Sequence, residues 1–312
     1  MRIIITGAGG FVGRVLVRRL VEHGHCVVAL DHVADAAPGA EVIAIAGDIA
    51  DPAILARAFA QGCDAVVHLA TIPGGAAEAD PVAARRINLD ATIALSEAAA
   101  AAGARPRFVF ASSIAVLGAP LPALVEDTTP LRPQLVYGVH KAMIEQWLAT
   151  LSRRGALDAL SLRLPGIVAR PPGPSGMKSA FMSDIFHALR ADAPFTSPVT
   201  ADATMWLMSV ETVVTALLHA LTLDMPLPDD RAITLPALRL RMDELVAAIA
   251  HRTGGDIARV GYAPDPGLQA AFGAYPALIT PRADALGFTH DGAADRLVAC
   301  ALATIASQDS PT

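Results

Sequence analysis

A tyrosine and a lysine lie four residues apart in the segment YGVHKAMIEQWLATL, at Tyr137 and Lys141. The segment reads as a helix, and this spacing places both side chains on one helical face. An ammonium group beside a phenol favours the phenolate and lowers the pKa of the tyrosine, as a general base requires. Only two of the 24 basic residues are lysines, at positions 141 and 178. The alternative is a helix with a half-buried tyrosine and an exposed lysine.

Three regularly spaced glycines lie near the N-terminus, between a β-rich run, Arg2–Thr6, and an apolar-periodic helix. Gly7 permits a tight turn, Gly10 lets backbone approach a pyrophosphate, and Gly13 lets the helix pack closely on the sheet. The phosphates would then lie at the helix N-terminus. The next strand ends at Asp31, where a carboxylate binds ribose hydroxyls and repels a 2′-phosphate. We therefore expect this turn to bind a dinucleotide, NAD rather than NADP. The alternative to a dinucleotide site is a glycine-rich turn that binds no ligand.

Further residues follow the ends of later strands, where a parallel sheet binds its ligands. Asp48 and Ile49 end the third strand and are expected beside the adenine, although Asp48 would also suit a helix N-cap. The fourth strand ends in the sequence HLA. We expect the backbone of Leu69 and Ala70 to run beside the ribose of the cofactor.

Three polar residues extend this pattern. Asn88 lies inside a predicted helix, where asparagine is unfavourable, so we favour a functional role over a solvent-facing position. Ser112 and Ser113 end the strand FVFASS ahead of Tyr137. One of these hydroxyls could bind a substrate oxygen, and the alternative is a pair of N-cap serines.

Strand and helix patterns alternate through the first half of the chain, and PVAARRINLDATIALSEAAAAA reads as one helix. The alternation predicts an α/β fold, a doubly wound parallel sheet of Rossmann type with a small, mostly helical C-terminal substrate lobe. After Pro165 the segment ARPPGPSG is a breaker-rich loop, and RAITLP fits a last strand of the sheet. We expect an NAD-binding domain over 1–165 plus about 205–236, and a substrate-binding lobe over about 166–204 plus 237–312.

Composition excludes several classes. Apolar residues make up 53% and charged residues 17%, and the net charge is −6 without a basic stripe, which argues against nucleic acid. No apolar run reaches the ~18 residues of a membrane span, and the immediate first strand indicates no signal peptide. Cys26, Cys63 and Cys300 fit free thiols in a reducing cytoplasm. No spacing predicts a metal site, and His23 and His25 are expected to be solvated.

These residues together resemble the extended short-chain dehydrogenase/reductase family over essentially the whole chain. The motifs are TGAGGFVG, the acid at 31, GDI, HLA, the Asn88 helix, the SS strand end and YGVHK, whereas VLG at 116–118 departs from the usual VYG. The resemblance implies catalysis by Ser113, Tyr137 and Lys141, with Asn88 supporting the lysine through a proton relay, and a homodimer formed through the helices of Asn88 and Tyr137. The expected cofactor contacts are Gly7, Gly10, Phe11, Val12, Gly13, Asp31, Asp48, Ile49, Leu69, Ala70, Asn88, Tyr137, Lys141, Leu164 and Ile167.

Four downstream segments, SSIAVLGAPLP, LRLPGIVARPPGPSG, MWLMSVETVV and TLPALRLRMDEL, resemble the D-erythronate dehydrogenase group. The resemblance implies NAD-dependent oxidation of the 2-hydroxyl of a small sugar acid to a 2-oxo acid. Tyr137 would take the hydroxyl proton, Ser113 would hold the oxygen, and Lys141 would bind the nicotinamide ribose. The loop TIPGGAAEAD, expected to touch substrate, departs from the Ser-Gly-Glu sequence usual in the group. The expected substrate contacts are Thr71, Ser112, Ser113, Tyr137, Ser175 and Lys178.

Three other functions differ from this one in the residues that they require. A nucleotide-sugar epimerase would use the same catalytic set and bind a diphosphate, for which Arg239 and Arg241 are available. A 4,6-dehydratase needs an acid pair where Ile114 and Ala115 stand, so we exclude it. A non-catalytic NAD-binding regulator has no need of the tyrosine and lysine. Lys178 could bind a substrate carboxylate, or it could be a solvated loop residue while hydroxyls and backbone bind that group.

Overall fold

The computed structural model describes residues 1–33, 41–173 and 177–309. By contacts between backbone positions the chain forms two compact units. The first contains Met1–Gly118, Leu131–Arg163 and Val214–Thr234, and the second contains Ala119–Pro130, Leu164–Val213 and Leu235–Thr312.

The secondary structure alternates between strands and helices over most of the chain. The strands are β1 Arg2–Thr6, β2 Cys26–Asp31, β3 Val42–Ala46, β4 Ala65–His68, β5 Arg107–Ser113, β6 Leu124–Val125, β7 Asp158–Leu164, β8 Gly166–Ile167, β9 Phe195–Ser197, β10 Thr204–Met208, β11 Ala232–Thr234, β12 Leu238–Arg241, β13 Val260–Tyr262 and β14 Ala277–Leu278. The helices are α1 Phe11–Glu22, α2 Pro52–Phe59, α3 Gly74–Ala79, α4 Pro81–Arg85, α5 Thr92–Ala102, α6 Val136–Arg153, α7 Phe181–Arg190, α8 Val210–Thr222, α9 Met242–Thr253, α10 Pro266–Phe272, α11 Pro281–Ala285 and α12 Ala294–Asp309.

A seven-stranded sheet in the order β11-β7-β5-β4-β1-β2-β3 forms the centre of the first unit. Its strands run parallel, for example β1 beside β2 and β4. The central strands are apolar on both faces, as sheets covered by helices on both sides require; Ile3, Ile4 and Ile5 of β1 are all fully buried. The strand order reverses at β1, so the crevice at the carboxyl ends of β1 and β4 is the expected ligand site. The structure thus confirms the predicted Rossmann-type sheet.

The second unit has its own apolar core, built on α7, α9 and α12. Its strands form a three-stranded sheet, β12-β10-β8, and two short pairs, β13-β9 and β14-β6. Strand β10 runs antiparallel to β12 and parallel to β8. Among the described residues of both units, no helix is long and apolar enough to cross a bilayer.

Several boundaries differ from the predicted ones. The residues from about 205 were predicted to return to the NAD-binding domain, but β10 bonds to β8 and β12, so the chain returns only at Val214. The segment RAITLP does join the main sheet, because β11 pairs with β7. The predicted loop TIPGGAAEAD contains the helix α3, whose alanines and glutamate favour helix. The single helix predicted before β5 is divided by a π-helical segment, Arg86–Ala91, between α4 and α5.

Candidate active site

The turn between β1 and α1 requires glycine at two positions. Gly7 has a φ of +72°, and a Cβ there would lie 2.8 Å from the backbone nitrogen of Ala70, two residues after β4 ends. A Cβ at Gly13 would overlap the carbonyl oxygen of Gly7 and lie 2.7 Å from that of Ala8. Side chains are therefore excluded where the turn meets β4 and where α1 meets the turn. This close packing matches the roles expected for glycines in a dinucleotide-binding turn.

The start of α1 and the end of β2 complete a cradle for a dinucleotide. Helix α1 begins without a side-chain cap at Gly10, and Phe11 and Val12 form its first turn, so its N-terminus suits a pyrophosphate. The carboxylate of Asp31 accepts hydrogen bonds from the backbone nitrogens of Gly9 (2.8 Å) and His32 (2.7 Å). These bonds hold the carboxylate beside the glycine turn, where ribose hydroxyls would reach it. The residues present therefore fit NAD.

Asp48 lies at the end of β3 but does not cap α2, because Asp51 accepts from the backbone of Ala53 there. Asp48 accepts from the backbone of Ala50 at 2.8 Å and from Arg86 Nη2 at 2.7 Å. Burial acts to raise the pKa of Asp48, but these two donors outweigh it and the pKa is lowered. Asp48 is thus an ionised acceptor after β3. Its predicted contact with adenine stays a prediction, as does that of the buried Ile49.

Asn88 lies in the π-helical segment, and its side chain is 4% exposed, so the solvent-facing alternative is wrong. Its Oδ1 accepts from Thr71 Oγ1 (3.0 Å) and from the backbone nitrogen of Ile72 (2.8 Å), and its Nδ2 donates to the Ile72 carbonyl at 2.9 Å. The amide therefore fixes the segment after β4 that contains Thr71. Because its hydrogen bonds hold Thr71 and Ile72, Asn88 is a positioning residue for this segment. Its place in a π-helical segment is common at functional sites. The predicted relay to Lys141 stays a prediction.

Tyr137 and Lys141 lie on α6, one turn apart. The Nζ of Lys141 lies 5.4 Å from the centre of the Tyr137 ring and 4.5 Å from that of Phe110, and it donates to the carbonyl of Ala111 at 2.7 Å. Lys141 is only 3% exposed, so the alternative of an exposed lysine is wrong. Burial lowers the pKa of Lys141 to about 7, and the nearby carboxylate of Glu145 opposes that shift.

The N-terminus of α6 is fixed by a second helix. The carboxylate of Glu78, on α3, accepts from the backbone nitrogen of Val136 at 2.6 Å. Val136 is the first residue of α6 and precedes Tyr137. Since the first N–H groups of a helix lack partners within it, this bond both satisfies one of them and sets where α6 begins. Helix α3 thereby positions the tyrosine.

The two serines at the end of β5 have different environments. Ser112 is buried, and its hydroxyl donates to Glu145 Oε1 at 2.5 Å. Because its hydroxyl is directed at Glu145, Ser112 does not fit the predicted contact with substrate. Ser113 accepts from the backbone of Ala115 at 3.1 Å as the N-cap of a short 3₁₀ turn, Ile114–Leu117. Its hydroxyl hydrogen is available for a substrate oxygen, so Ser113 is the better candidate.

Two buried polar side chains near this site were not predicted. His68 ends β4, is 1% exposed and bonds to Thr6 Oγ1 (2.6 Å) and Thr92 Oγ1 (2.8 Å). Burial lowers its pKa to about 3, with the Lys141 charge contributing, so it is neutral. Glu145 is the second. It follows Lys141 by four residues on the same helix, and this spacing could have indicated that the two side chains lie on one face. The sequence contains no comparable sign of the two threonine partners of His68.

The remaining predicted residues belong to the second unit or lie outside the described residues. Leu164 ends β7 and Ile167 lies in β8, and both are buried. Lys178 is exposed in the turn before α7. Ser175 lies outside the described residues. Among the residues that are described, no three His, Cys, Asp or Glu side chains group as metal ligands would.

Comparison with known proteins agrees with this geometry. The profile of a family described as the NAD dependent epimerase/dehydratase family matches residues 3–231. The chain is 36% identical to a D-erythronate dehydrogenase of Cupriavidus necator, over 96% of this chain and 97% of that protein. It is 31% identical to a D-erythronate dehydrogenase of Haemophilus influenzae, over 93% of this chain and 95% of that protein. The crystal structure of a nucleoside-diphosphate-sugar epimerase from Agrobacterium tumefaciens superposes with a TM-score of 0.88 at 32% identity, covering 96% of this chain and 92% of the other.

The family match covers the glycine turn, the acid at the end of β2 and the tyrosine and lysine of α6, which the geometry brings to one end of the sheet. The predicted family resemblance is therefore confirmed. This chain belongs to the NAD dependent epimerase/dehydratase family and is an NAD-dependent oxidoreductase of the extended short-chain dehydrogenase/reductase type.

Proposed function

We propose that the protein oxidises the 2-hydroxyl of a D-erythronate-like sugar acid to the corresponding 2-oxo acid. The observation that carries this proposal is the similarity to two D-erythronate dehydrogenases along nearly the whole chain. A similarity of that extent includes the C-terminal unit, which holds the segments expected to contact substrate, and not the nucleotide-binding part alone.

The catalytic roles follow from the arrangement on α6 and β5. Tyr137 accepts the proton of the 2-hydroxyl as a phenolate, which the neighbouring positive charge of Lys141 stabilises. Ser113 donates to the same substrate oxygen and orients it. The chemistry that bound NAD supplies is acceptance of the hydride that leaves C2. Asn88 and Glu78 position the Thr71 segment and α6.

We further propose NAD rather than NADP as the cofactor. Asp31 presents a carboxylate that two backbone nitrogens hold in place. A fixed negative charge at this point binds ribose hydroxyls and repels a 2′-phosphate. Gly7 and Gly13 allow the turn to pack against the segment after β4 and against α1, and Gly10 leaves room for the pyrophosphate at the start of α1.

For the substrate carboxylate we propose Lys178, which is exposed and cationic. A charge-assisted hydrogen bond contributes ~1.5–3 kcal/mol, so Lys178→Ala should raise KM for the acid by roughly 10- to 100-fold and leave NAD affinity unchanged. Lys178→Arg keeps the charge and serves as the matched control. A KM for Lys178→Ala within twofold of the wild-type value would assign the carboxylate to other donors, with Ser175, Ser179 and Arg170 next.

A nucleotide-sugar epimerase is the second candidate, because the superposed crystal structure has that name and the catalytic set would be the same. It would need free positive charge for a diphosphate. Arg241 instead forms an ion pair with Asp243, and Arg239 Nε donates to the carbonyl of Tyr275 at 2.8 Å. Both arginines therefore already have partners within their own unit. This favours a small sugar acid over a nucleotide sugar as the substrate.

A substrate panel tests the proposal. NADH formation would be followed with the stereoisomers of erythronate and threonate and, separately, with nucleotide sugars. Substrate deuterated at C2 should transfer deuterium to the cofactor, and mass spectrometry should identify a 2-oxo acid. Deuterium retained in the product would place oxidation at another carbon. Turnover on nucleotide sugars alone would favour the epimerase, and NAD binding without turnover on either class would favour a regulator.

A further inference from the structure

A buried ion pair lies one helical turn beyond Lys141. Glu145 on α6 is 0% exposed, and its carboxylate accepts from Arg163 of β7, with Nη2 2.8 Å from Oε2 and Nε 3.0 Å from Oε1. Arg163 is also buried, and its Nη1 lies 3.5 Å from Thr234 Oγ1 on β11. Burying such a pair costs desolvation energy that its attraction offsets only in part, so stability alone is a weak reason for its presence.

The pair is attached to the strand that carries the serine of the site. At two successive residues β5 is bonded to α6: the Ala111 carbonyl accepts from Lys141, and the Ser112 hydroxyl donates to Glu145. The next residue of β5 is Ser113. The two bonds therefore set the spacing between the strand end that presents Ser113 and the helix that presents the tyrosine and lysine.

Among the described residues, titratable groups from three elements face Lys141 or the carboxylate beside it. On its own helix it faces the Tyr137 phenol and the carboxylate of Glu145. From β4 it faces His68, which is neutral because burial lowers its pKa to about 3. From β7 the guanidinium of Arg163 is directed at Glu145. Glu145 is therefore the one negative charge among these groups that favours the ammonium form of Lys141 against burial.

We propose that Glu145 is a positioning residue that holds α6 against β5 and β7 and keeps the buried Lys141 ammonium protonated beside Tyr137. The significance of this role for turnover rests on the catalytic function proposed for Lys141. Ser112 and Arg163 act through Glu145, since both donate to its carboxylate.

Lysine NMR tests the proposal directly, because the chain has only two lysines. In the full chain with ¹³C,¹⁵N-labelled lysine, the side-chain signals of Lys141 and Lys178 are followed against pH, and Lys178→Arg assigns them. Glu145→Gln keeps the size of the side chain and an acceptor for Ser112 but removes the charge. Because an adjacent carboxylate favours the ammonium, its loss should lower the titration midpoint of Lys141 by about one pH unit or more. The midpoint of the exposed Lys178 should not move.

Two further variants separate charge from packing. Glu145→Asp restores a carboxylate and should recover most of the wild-type midpoint of Lys141. Ser112→Ala removes a bond to Glu145 but no charge, and it should leave that midpoint near wild type. A Lys141 midpoint in Glu145→Gln equal to that of wild type would overturn the proposal.

Glu145→Gln leaves Arg163 buried without its anion, and this variant could fail to fold. In that case Glu145→Gln combined with Arg163→Met removes both charges, and the Lys141 midpoint should again be lower than in wild type; an unchanged midpoint would again overturn the proposal. With an active substrate, the alkaline limb of kcat against pH should move to lower pH by a similar amount, with KM for NAD little changed. The NMR titration needs no substrate, so failure of this inference and failure of the proposed activity are distinguishable.

Discussion

Lys141 shows how a residue's surroundings determine its chemistry. The ammonium is buried between two aromatic rings and bonds to a backbone carbonyl. These contacts fix its position more tightly than a solvated lysine would allow. Burial also lowers its pKa to about 7, so its charge becomes sensitive to neighbouring groups within the range in which enzymes work.

The role of the tyrosine is tested by Tyr137→Phe. The ring and its packing beside Lys141 remain, but the proton acceptor is lost, so NAD affinity should be retained and kcat should fall ~10²- to 10⁴-fold. Steady-state rates and a fluorescence titration with NADH measure the two effects. Tyr262→Phe, at an exposed position in the second unit, is the control and should have wild-type rates. Comparable rates in both variants would remove Tyr137 from the mechanism.

Cofactor choice is tested at Asp31. Asp31→Ala should weaken NAD binding and reduce the discrimination against NADP, because both the hydroxyl bonds and the repulsion of the 2′-phosphate are lost. Asp31→Asn is the sharper variant, since it keeps an acceptor for the Gly9 nitrogen and removes only the charge. The ratio of kcat/KM for NAD and NADP is the measurement. An unchanged ratio in both variants would mean that Asp31 does not face the ribose.

At the scale of elements, three segments around α6 work together. Helix α3 caps α6 through Glu78, the π-helical segment holds the backbone of Ile72 through Asn88, and β5 is bonded to α6 through Lys141 and Glu145. Each contact joins residues at least 16 positions apart in the chain. The site is therefore assembled from segments whose relative placement depends on packing.

The glycine turn gives a prediction at this scale. Gly13→Ala places a methyl group against the carbonyl oxygens of Gly7 and Ala8, so α1 must move away from the turn. We expect loss of measurable NAD affinity by calorimetry and a lower Tm. Gly74→Ala is the matched control, because a Cβ there meets nothing within 4 Å. Retained NAD affinity in Gly13→Ala would show that α1 does not hold the pyrophosphate.

For the whole molecule, the neutral His68 predicts loss of stability in acid. Its pKa is about 3 in the folded chain against 6.5 for an ordinary histidine. Between these values the unfolded chain binds more protons, so stability is fully present above about pH 6.5 and falls with decreasing pH, by at most ~1.4 kcal/mol per pH unit. Urea unfolding between pH 4 and 7 should show a smaller dependence on pH in His68→Gln than in wild type. His251→Gln, at an exposed position, should match wild type, and equal slopes in all three would contradict the prediction.

We also propose a homodimer through α6, which carries Tyr137, and the helical stretch that carries Asn88, as the family resemblance implies. Val139 and Met143 of α6 are exposed apolar residues, and Met143 borders an apolar cleft with the residues Arg85, Leu89, Asp90, Ile93, Ile144 and Trp147. Met143→Glu should shift sedimentation towards the monomer, because it places a charge on this face. Met225→Glu, at another exposed methionine, should not. A wild-type chain that sediments as a monomer at all concentrations would refute the dimer.

Features that depend on local spacing could be predicted from the amino-acid sequence. The order of strands and helices, the glycine turn, the acid at the end of β2 and the pairing of Tyr137 with Lys141 all depend on residues a short distance apart in the chain. Such intervals reflect the periods of helix and strand, which hold whatever the rest of the chain does. For the same reason the family resemblance could be drawn from motifs alone.

Features that depend on distant partners required the folded chain. The direction of Ser112 towards Glu145, the pairing of Glu145 with Arg163 and the enclosure of His68 by two threonines join residues 18 to 62 positions apart. The pairing of β10 with β8 and β12, and not with the main sheet, also required the folded chain. An apolar strand can pair in either unit, so its sequence does not specify which. A side chain's partners and its desolvation are set by packing between elements, and no local pattern specifies which elements will meet.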